Sequence, residues 1–342
     1  MTRKVIYLDR NENNYGPAPA CHDVLVRADS SLLSLYDRSF ARGIKGVLSE
    51  RLASEFGLGE DRVLLGYGAE HILKQTVQCY LGPGKKLMVP AFSWWYYRKI
   101  ASEAGGLSVE FPMTAGEDRF RYDVEGMREV YRRERPAVVF ISSPNNPTGN
   151  SLERAGLETV LADFRESVVV LDEAYIFGGE TAYVKALVDA HPNLLVLRTM
   201  SKYYALAGVR IGFGLMGKEL DALAAFGNRY LGFNRLSEEL AIAALDSPRY
   251  YREIARKMTE DKDRYYAALG RLPGFRVFRS DANFILAAIS PAHGKGLKAH
   301  LEERSLMIKF MDEPLLNSHV RITIGTQEEN RLLIDAITSY YE

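Results

Sequence analysis

Arg198-Thr199-Met200-Ser201-Lys202-Tyr203-Tyr204-Ala205-Leu206-Ala207-Gly208-Val209-Arg210 follows the apolar run Leu194-Leu195-Val196-Leu197 and sets one lysine between that run and a small-residue turn ending in arginine. A lysine amine becomes a catalyst when it condenses with a carbonyl. A fixed guanidinium and a hydroxyl beside it, here Arg210 and Ser201, suit a phosphate. Lysine and phosphate clamp at one strand exit together suggest covalently held pyridoxal 5'-phosphate. Taken alone, the segment reads equally as a surface turn with an ordinary lysine.

Outward from this stretch, apolar runs at Lys86–Val89, Ala137–Ser142, Val168–Leu171, Leu194–Leu197 and Ile211–Leu215 alternate with amphipathic segments at Trp94–Glu103, Leu152–Phe164 and Thr181–Ala190. Continuous β-branched runs separated by helices predict an α/β fold with a parallel sheet covered on both faces. Such sheets bind ligands at the carboxyl ends of their strands. Beyond Asn234 long charged amphipathic stretches run from Ser237 to Leu269, followed by short runs at Arg276–Phe278, Asn283–Ala288 and Val320–Ile324. That texture predicts a smaller α+β domain. The expected division is a large domain over 36–240 and a small one over 241–342, with residues 1–35 as an arm packed on it.

At 342 residues the chain exceeds what a single core accommodates, which also favours two domains. Lysine plus arginine and aspartate plus glutamate both number 44, so no global field attracts nucleic acid or an anionic membrane. Partners are expected to be small molecules recognised locally. Two cysteines, Cys21 and Cys79, do not make a disulfide framework, and the six histidines show no ligand spacing. Met1-Thr2-Arg3-Lys4 is not followed by a signal-peptide apolar region, and no 18-residue apolar run occurs. A cytoplasmic protein is expected.

Several strand exits carry polar chemistry. Val168–Leu171 runs into Asp172-Glu173-Ala174-Tyr175. A carboxylate ending a buried strand needs a partner, and a pyridinium nitrogen supplies one while becoming an electron sink. An N-cap acid is the other reading. Tyr175, three residues on, is within reach of the ring's phenolic oxygen. Ala137–Ser142 runs into Ser143-Pro144-Asn145-Asn146-Pro147-Thr148-Gly149, a rigid loop with a candidate cis Asn-Pro bond, or a plain turn. Asn146 there offers amide donors to an anionic oxygen. Val63–Leu65 leads into Gly66-Tyr67-Gly68-Ala69-Glu70, where glycine and a helix N-terminus suit a phosphate, provided the Glu70 side chain turns away. Lys86–Val89 leads into Pro90-Ala91-Phe92-Ser93-Trp94-Trp95-Tyr96-Tyr97, whose aromatics suit a flat ring or a core. Gly212-Phe213-Gly214-Leu215-Met216-Gly217 matches the dinucleotide fingerprint formally, but its glycines lie inside the apolar run and read as close strand packing.

In this order the segments resemble the fold-type-I pyridoxal-phosphate aminotransferases, and within them the histidinol-phosphate aminotransferase group. The resemblance runs from Leu8 to Thr326 and rests on SPNNPTG (143–149), DEAY (172–175) and SKxxxLAGxR (201–210). It implies a mostly parallel seven-stranded sheet between helices, plus a smaller α+β domain. By position, Lys202 resembles the Schiff-base lysine and Asp172 the partner of the pyridine nitrogen. Tyr175 and Asn146 match the residues on the ring's 3-oxygen. Ser201, Arg210 and the backbone of Ala69 and Glu70 match the phosphate cup, and Phe92 the aromatic stacked on the ring. Tyr36 aligns with a tyrosine reaching the neighbouring subunit's cofactor, which implies a homodimer with shared sites. Arg321 resembles the arginine that grips the substrate's anionic group, Asn13 falls among its substrate contacts, and Asn283 lies in a family motif.

The implied activity is transfer of an amino group from an amino donor, either histidinol phosphate or an aromatic or related amino acid, to a 2-oxo acid such as 2-oxoglutarate. Departures at Asn14, Asp37, Glu70-His71 and Trp95 lie near the substrate side and leave substrate identity open. The same cofactor contacts also serve a decarboxylase of the threonine-phosphate type. A non-catalytic ligand-sensing module is the remote alternative.

Overall fold

The computed structural model describes residues 4–178 and 181–342. Its larger sheet has seven strands in the order Val63–Gly66, Gly212–Met216, Leu194–Thr199, Val168–Asp172, Val138–Ser142, Lys86–Pro90 and Leu107–Phe111. The last five pair in parallel. Their apolar runs need two covered faces, and alternate residues divide between two cores. Val139, Ile141, Val169, Leu171 and Val196 enter one, while Val138, Phe140, Val170, Leu195 and Leu197 enter the other. The covering helices Tyr96–Glu103, Arg154–Asp163 and Ala182–Ala190 start one or two residues later than their periodicity predicts.

Gly212–Met216 departs from the parallel expectation by running antiparallel to both neighbours. The reason is the length of its connection. Between Thr199 and Gly212 there is only a loop with one short 3₁₀ turn, Ala207–Val209, and a parallel crossover needs a dozen or more residues that usually form a helix. The loop that carries Lys202 therefore turns back at the carboxyl edge of the sheet.

A second sheet has the order Ile6–Leu8, Leu306–Phe310, His319–Thr323, Phe284–Ala288 and Arg276–Phe278. Ile6–Leu8 pairs in parallel with Leu306–Phe310, and the other pairings are antiparallel. The amphipathic stretch after Asn234 is two helices, Arg235–Leu245 and Pro248–Leu269. They break at Asp246-Ser247 because Pro248, which lacks an N–H, occupies the first turn of the second. Helix Gln327–Tyr341 begins with a capping box between Thr326 and Glu329. No described helix is long and apolar enough to cross a membrane.

The N-terminal arm is fastened by hydrogen bonds along its course. Asn11 N–H donates to Thr323 Oγ1 (2.9 Å), Asn283 Nδ2 donates to the Asn11 carbonyl (3.0 Å), and Ala18 N–H donates to Tyr251 Oη (2.9 Å). These bonds draw Asp9–Glu12 across the open end of the larger sheet, opposite Lys202.

Candidate active site

A cavity of about 860 Å³ opens at the carboxyl ends of the parallel strands, closed on the far side by the arm and by His319–Thr323. Asp172, Tyr175, Asn146, Ser201, Lys202, Arg210, Ala69, Glu70 and Arg321 all line it. Residues more than 250 positions apart thus meet in one place.

One end is built for an anion. Helix Ala69–Tyr80 starts without a side-chain cap at Gly68; His71 N–H turns back to the Gly68 carbonyl (3.2 Å), while the Ala69 and Glu70 N–H groups have no partner among the described residues. Arg210 folds over this turn. A Cβ on Gly68, whose φ is +80°, would lie 2.6 Å from Arg210 Nη2, so only glycine lets the guanidinium sit there. Gly212 serves the same end from below, since its Cβ would lie 2.3 Å from Ala69 N. Arg210 Nη1 approaches Ser201 Oγ at 3.5 Å, and Ser201 Oγ also accepts from Thr199 Oγ1 (3.0 Å). The Glu70 side chain turns toward Tyr96, whose hydroxyl donates to Oε1 (2.9 Å), while Oε2 stays 3.9 Å from Arg210 Nη2.

The opposite end holds a carboxylate. Asp172 is buried at its strand terminus, with Oδ1 accepting from Ala174 N–H (3.0 Å) and Oδ2 from Tyr97 Oη (2.6 Å). Burial raises its pKa to about 6 against those two bonds, and the charge of Glu173 adds to the rise. Both donors are neutral.

Lys202 and its neighbours lie between the two ends. Lys202 Nζ donates to the Arg10 carbonyl (2.9 Å) and stands 5.6 Å from the centre of the Tyr175 ring. Burial, then the charges of Arg321 and Arg210, lower the amine to about 8 against the pull of Glu12. Asn146 Nδ2 donates to Tyr175 Oη (3.2 Å), and its Oδ1 accepts from Arg321 Nη1. Arg321 Nη2 donates to the Asp9 carbonyl (2.8 Å), and its Nε is buried without a partner among the described residues. Both of its acceptors are neutral, so the guanidinium keeps its charge for a ligand. The loop that carries Asn146 has two cis bonds, Ser143–Pro144 and Asn146–Pro147, the second of which is the expected candidate.

Residues 3–337 match the family model for aminotransferase class I and II. The chain belongs to this family. A histidinol-phosphate aminotransferase 2 of Nitrosococcus oceani is 34% identical over 343 residues, covering 97% of this chain and 91% of that protein. The crystal structure of histidinol-phosphate aminotransferase from Sinorhizobium meliloti in complex with pyridoxal-5'-phosphate superposes with a TM-score of 0.85 at 25% identity, covering 99% and 92% of the two chains. L-threonine-O-3-phosphate decarboxylase from Porphyromonas gingivalis shares the fold at a TM-score of 0.83 and 22% identity, covering 98% and 99%. This aminotransferase is pyridoxal-phosphate dependent, and its cavity fits the group. The uncapped helix start and Arg210 suit the phosphate. The buried Asp172, which has no cation partner among the described residues, suits a protonated ring nitrogen, and the lowered Lys202 amine suits the aldehyde.

Two expected residues, Phe92 and Asn13, fall elsewhere in the aminotransferase. Phe92 does not line the cavity. It stands edge-on to Phe120 (5.4 Å) and packs against a small apolar cluster containing Phe278 and Met311, with the backbone fixed by Ala91 N–H on the Phe111 carbonyl (3.0 Å) and by Asn145 Nδ2 on the Phe92 carbonyl. Trp94, Trp95 and Tyr97 of the same stretch line the cavity instead, and no motif in the sequence separates them from Phe92. Asn13 does not reach the cavity either. Its Nδ2 is held by the Tyr203 carbonyl (3.1 Å) and its Oδ1 by Tyr15 N–H (3.2 Å), so its side chain anchors the arm to the loop behind Lys202. Glu12, next to it, lines the cavity. Tyr36, expected at a neighbouring copy's site, is 70% exposed and does not line this cavity.

Proposed function

We propose that the enzyme moves an amino group from a small phosphorylated amine of the histidinol phosphate kind to a 2-oxo acid such as 2-oxoglutarate, using pyridoxal phosphate bound in this cavity. The observation that carries the proposal is the disposition of charge. A loosened amine at Lys202 lies between an anion cup at Arg210 and a cation-seeking carboxylate at Asp172, with the unneutralised Arg321 at the rim. The relatives' names supply the substrate class.

In this reading Ser201, Arg210 and the N–H groups of Ala69 and Glu70 hold the phosphate. Asp172, as the carboxylate, would accept from the protonated ring nitrogen, and Tyr175 and Asn146 would hold the ring's 3-oxygen. When bound, the cofactor supplies an electron sink that acidifies the substrate carbon bearing the amine. Lys202 Nζ then does the proton work. With its pKa near 8, about a tenth of the amine is unprotonated at pH 7, ready to act as nucleophile and to take the proton from the substrate carbon. Arg321 pairs with an anionic group of the substrate or of the oxo acid through its free edge.

The reading extends to a homodimer with shared sites and a cytoplasmic location, where 2-oxo acids are abundant. Exposed Leu33, Leu35, Tyr36 and Phe40, with Phe40 stacked on Tyr230 (5.9 Å), support an apolar face suited to a second copy. The test is a panel of amino donors assayed with 2-oxoglutarate. Glutamate formation from histidinol phosphate supports the proposal. Release of carbon dioxide from threonine phosphate without an oxo acid would replace it with decarboxylation.

A further inference from the structure

Tyr97 belongs to none of the motifs that carry the family resemblance, yet its hydroxyl makes the shortest bond to Asp172, 2.6 Å from Oδ2. It is the second residue of helix Tyr96–Glu103, which follows the strand Lys86–Pro90. From there the side chain reaches across the intervening strand Val138–Ser142, its ring edge-on to Phe140 at 5.1 Å. The ring is buried, so its packing fixes where the hydroxyl points. Burial first, and then the charge of Asp172, push the phenol well above its ordinary value, so it remains a donor throughout the working pH range. A short bond from a hydroxyl to a carboxylate belongs to the stronger, charge-assisted class.

We propose that Tyr97 is a positioning residue for the cofactor, keeping the Asp172 carboxylate ionised and aimed so that the ring nitrogen retains its proton. This inference rests on the site reading above and adds to it a residue two strands away from the acid it serves. The other titratable groups around Asp172 do not duplicate the role. Tyr122 is a buried phenol, raised above its ordinary value, and donates to the Ser142 carbonyl instead. Glu173 is bound by Arg198 (2.8 Å). Tyr175 accepts from Asn146, and Lys202 is held by the Arg10 carbonyl.

The experiment uses Tyr97→Phe, which keeps the ring and its contact with Phe140 while removing the hydroxyl. The full-length apoprotein is titrated between pH 5 and 9 with pyridoxal phosphate, and separately with an analogue carrying C–H in place of the ring nitrogen. A hydrogen bond to a charged group is worth about tenfold or more in an equilibrium, so pyridoxal phosphate affinity falls by about that factor. The acidic limb of binding moves up by about one pH unit, because an unsupported carboxylate takes its proton sooner. Affinity for the ring-carbon analogue stays within about twofold of the parent, because that ring has no nitrogen for the carboxylate to charge. Unchanged pyridoxal phosphate affinity and pH midpoint would overturn the inference. So would an equal loss for both compounds, which would make Tyr97 a packing residue. Failure of the unsubstituted protein to bind pyridoxal phosphate at all would instead overturn the site reading, and this inference with it.

Discussion

Gly212→Ala probes the anion cup without altering any group that touches a ligand. The added Cβ would lie 2.3 Å from Ala69 N, 2.4 Å from Gly68 C and 2.8 Å from Ala69 Cα, all backbone atoms that no rotamer change can move. Favourable contacts between carbon atoms begin near about 3.5 Å, so the strand and the start of helix Ala69–Tyr80 must part by about 1 Å. Overpacking of this kind costs about 1–3 kcal/mol in stability. The larger effect is on binding, because a misplacement of about 1 Å in a positioned site is worth as much as about 10²-fold. The assay is titration of the apoprotein with pyridoxal phosphate and, in parallel, with pyridoxal, alongside a melting curve. The variant is expected to melt several degrees lower and to bind pyridoxal phosphate at least tenfold more weakly, with pyridoxal affected much less. Parent-like affinity for pyridoxal phosphate in a folded Gly212→Ala protein would refute the placement of the phosphate at this helix start.

Three further outcomes follow from the same geometry. The Lys202 amine is lowered to about 8 and attacks only when unprotonated, so the rate at which apoprotein captures pyridoxal phosphate rises as pH climbs through that value and levels above it. A flat stopped-flow profile from pH 6 to 9 would contradict the assignment. Arg321→Ala removes a guanidinium whose hydrogen bonds among the described residues go to the Asp9 carbonyl and the Asn146 amide, both neutral, so KM for an anionic substrate should rise by on the order of 10²-fold, with far less change for an uncharged amine. Asn13→Ala breaks the bond to the Tyr203 carbonyl, so stability should fall by about 1 kcal/mol while KM stays near the parent value; a large KM effect would restore Asn13 to the substrate site.

The sequence carried the parallel strands because burial on two faces demands unbroken apolar runs, and Val138–Ser142 and Val168–Asp172 have them. It carried the polar strand exits for a related reason: Asp172, Asn146 and Lys202 stand where apolar pattern stops and chemistry begins. Direction was less legible. Gly212–Met216 has the same texture as its neighbours, and only the absence of a crossover helix makes it antiparallel. Ile6–Leu8 and Leu306–Phe310 are less legible because they are short, only partly buried and stabilised by pairing with each other and with His319–Thr323. Phe92 and Trp94 could not be told apart, since facing depends on how the chain leaves Pro90. Tyr97 was invisible as a functional residue because its role exists only across the strand Val138–Ser142, which separates it from Asp172.

Reduction of the cofactor-loaded enzyme with borohydride, followed by peptide mass spectrometry, addresses the assignment of Lys202 most directly. Reduction freezes whatever bond joins the cofactor to the protein. The expected product is a single phosphopyridoxyl group on the peptide containing Lys202, lost when that residue is alanine. A label on any other lysine, or an unlabelled Lys202 in enzyme that turns over normally, would contradict it.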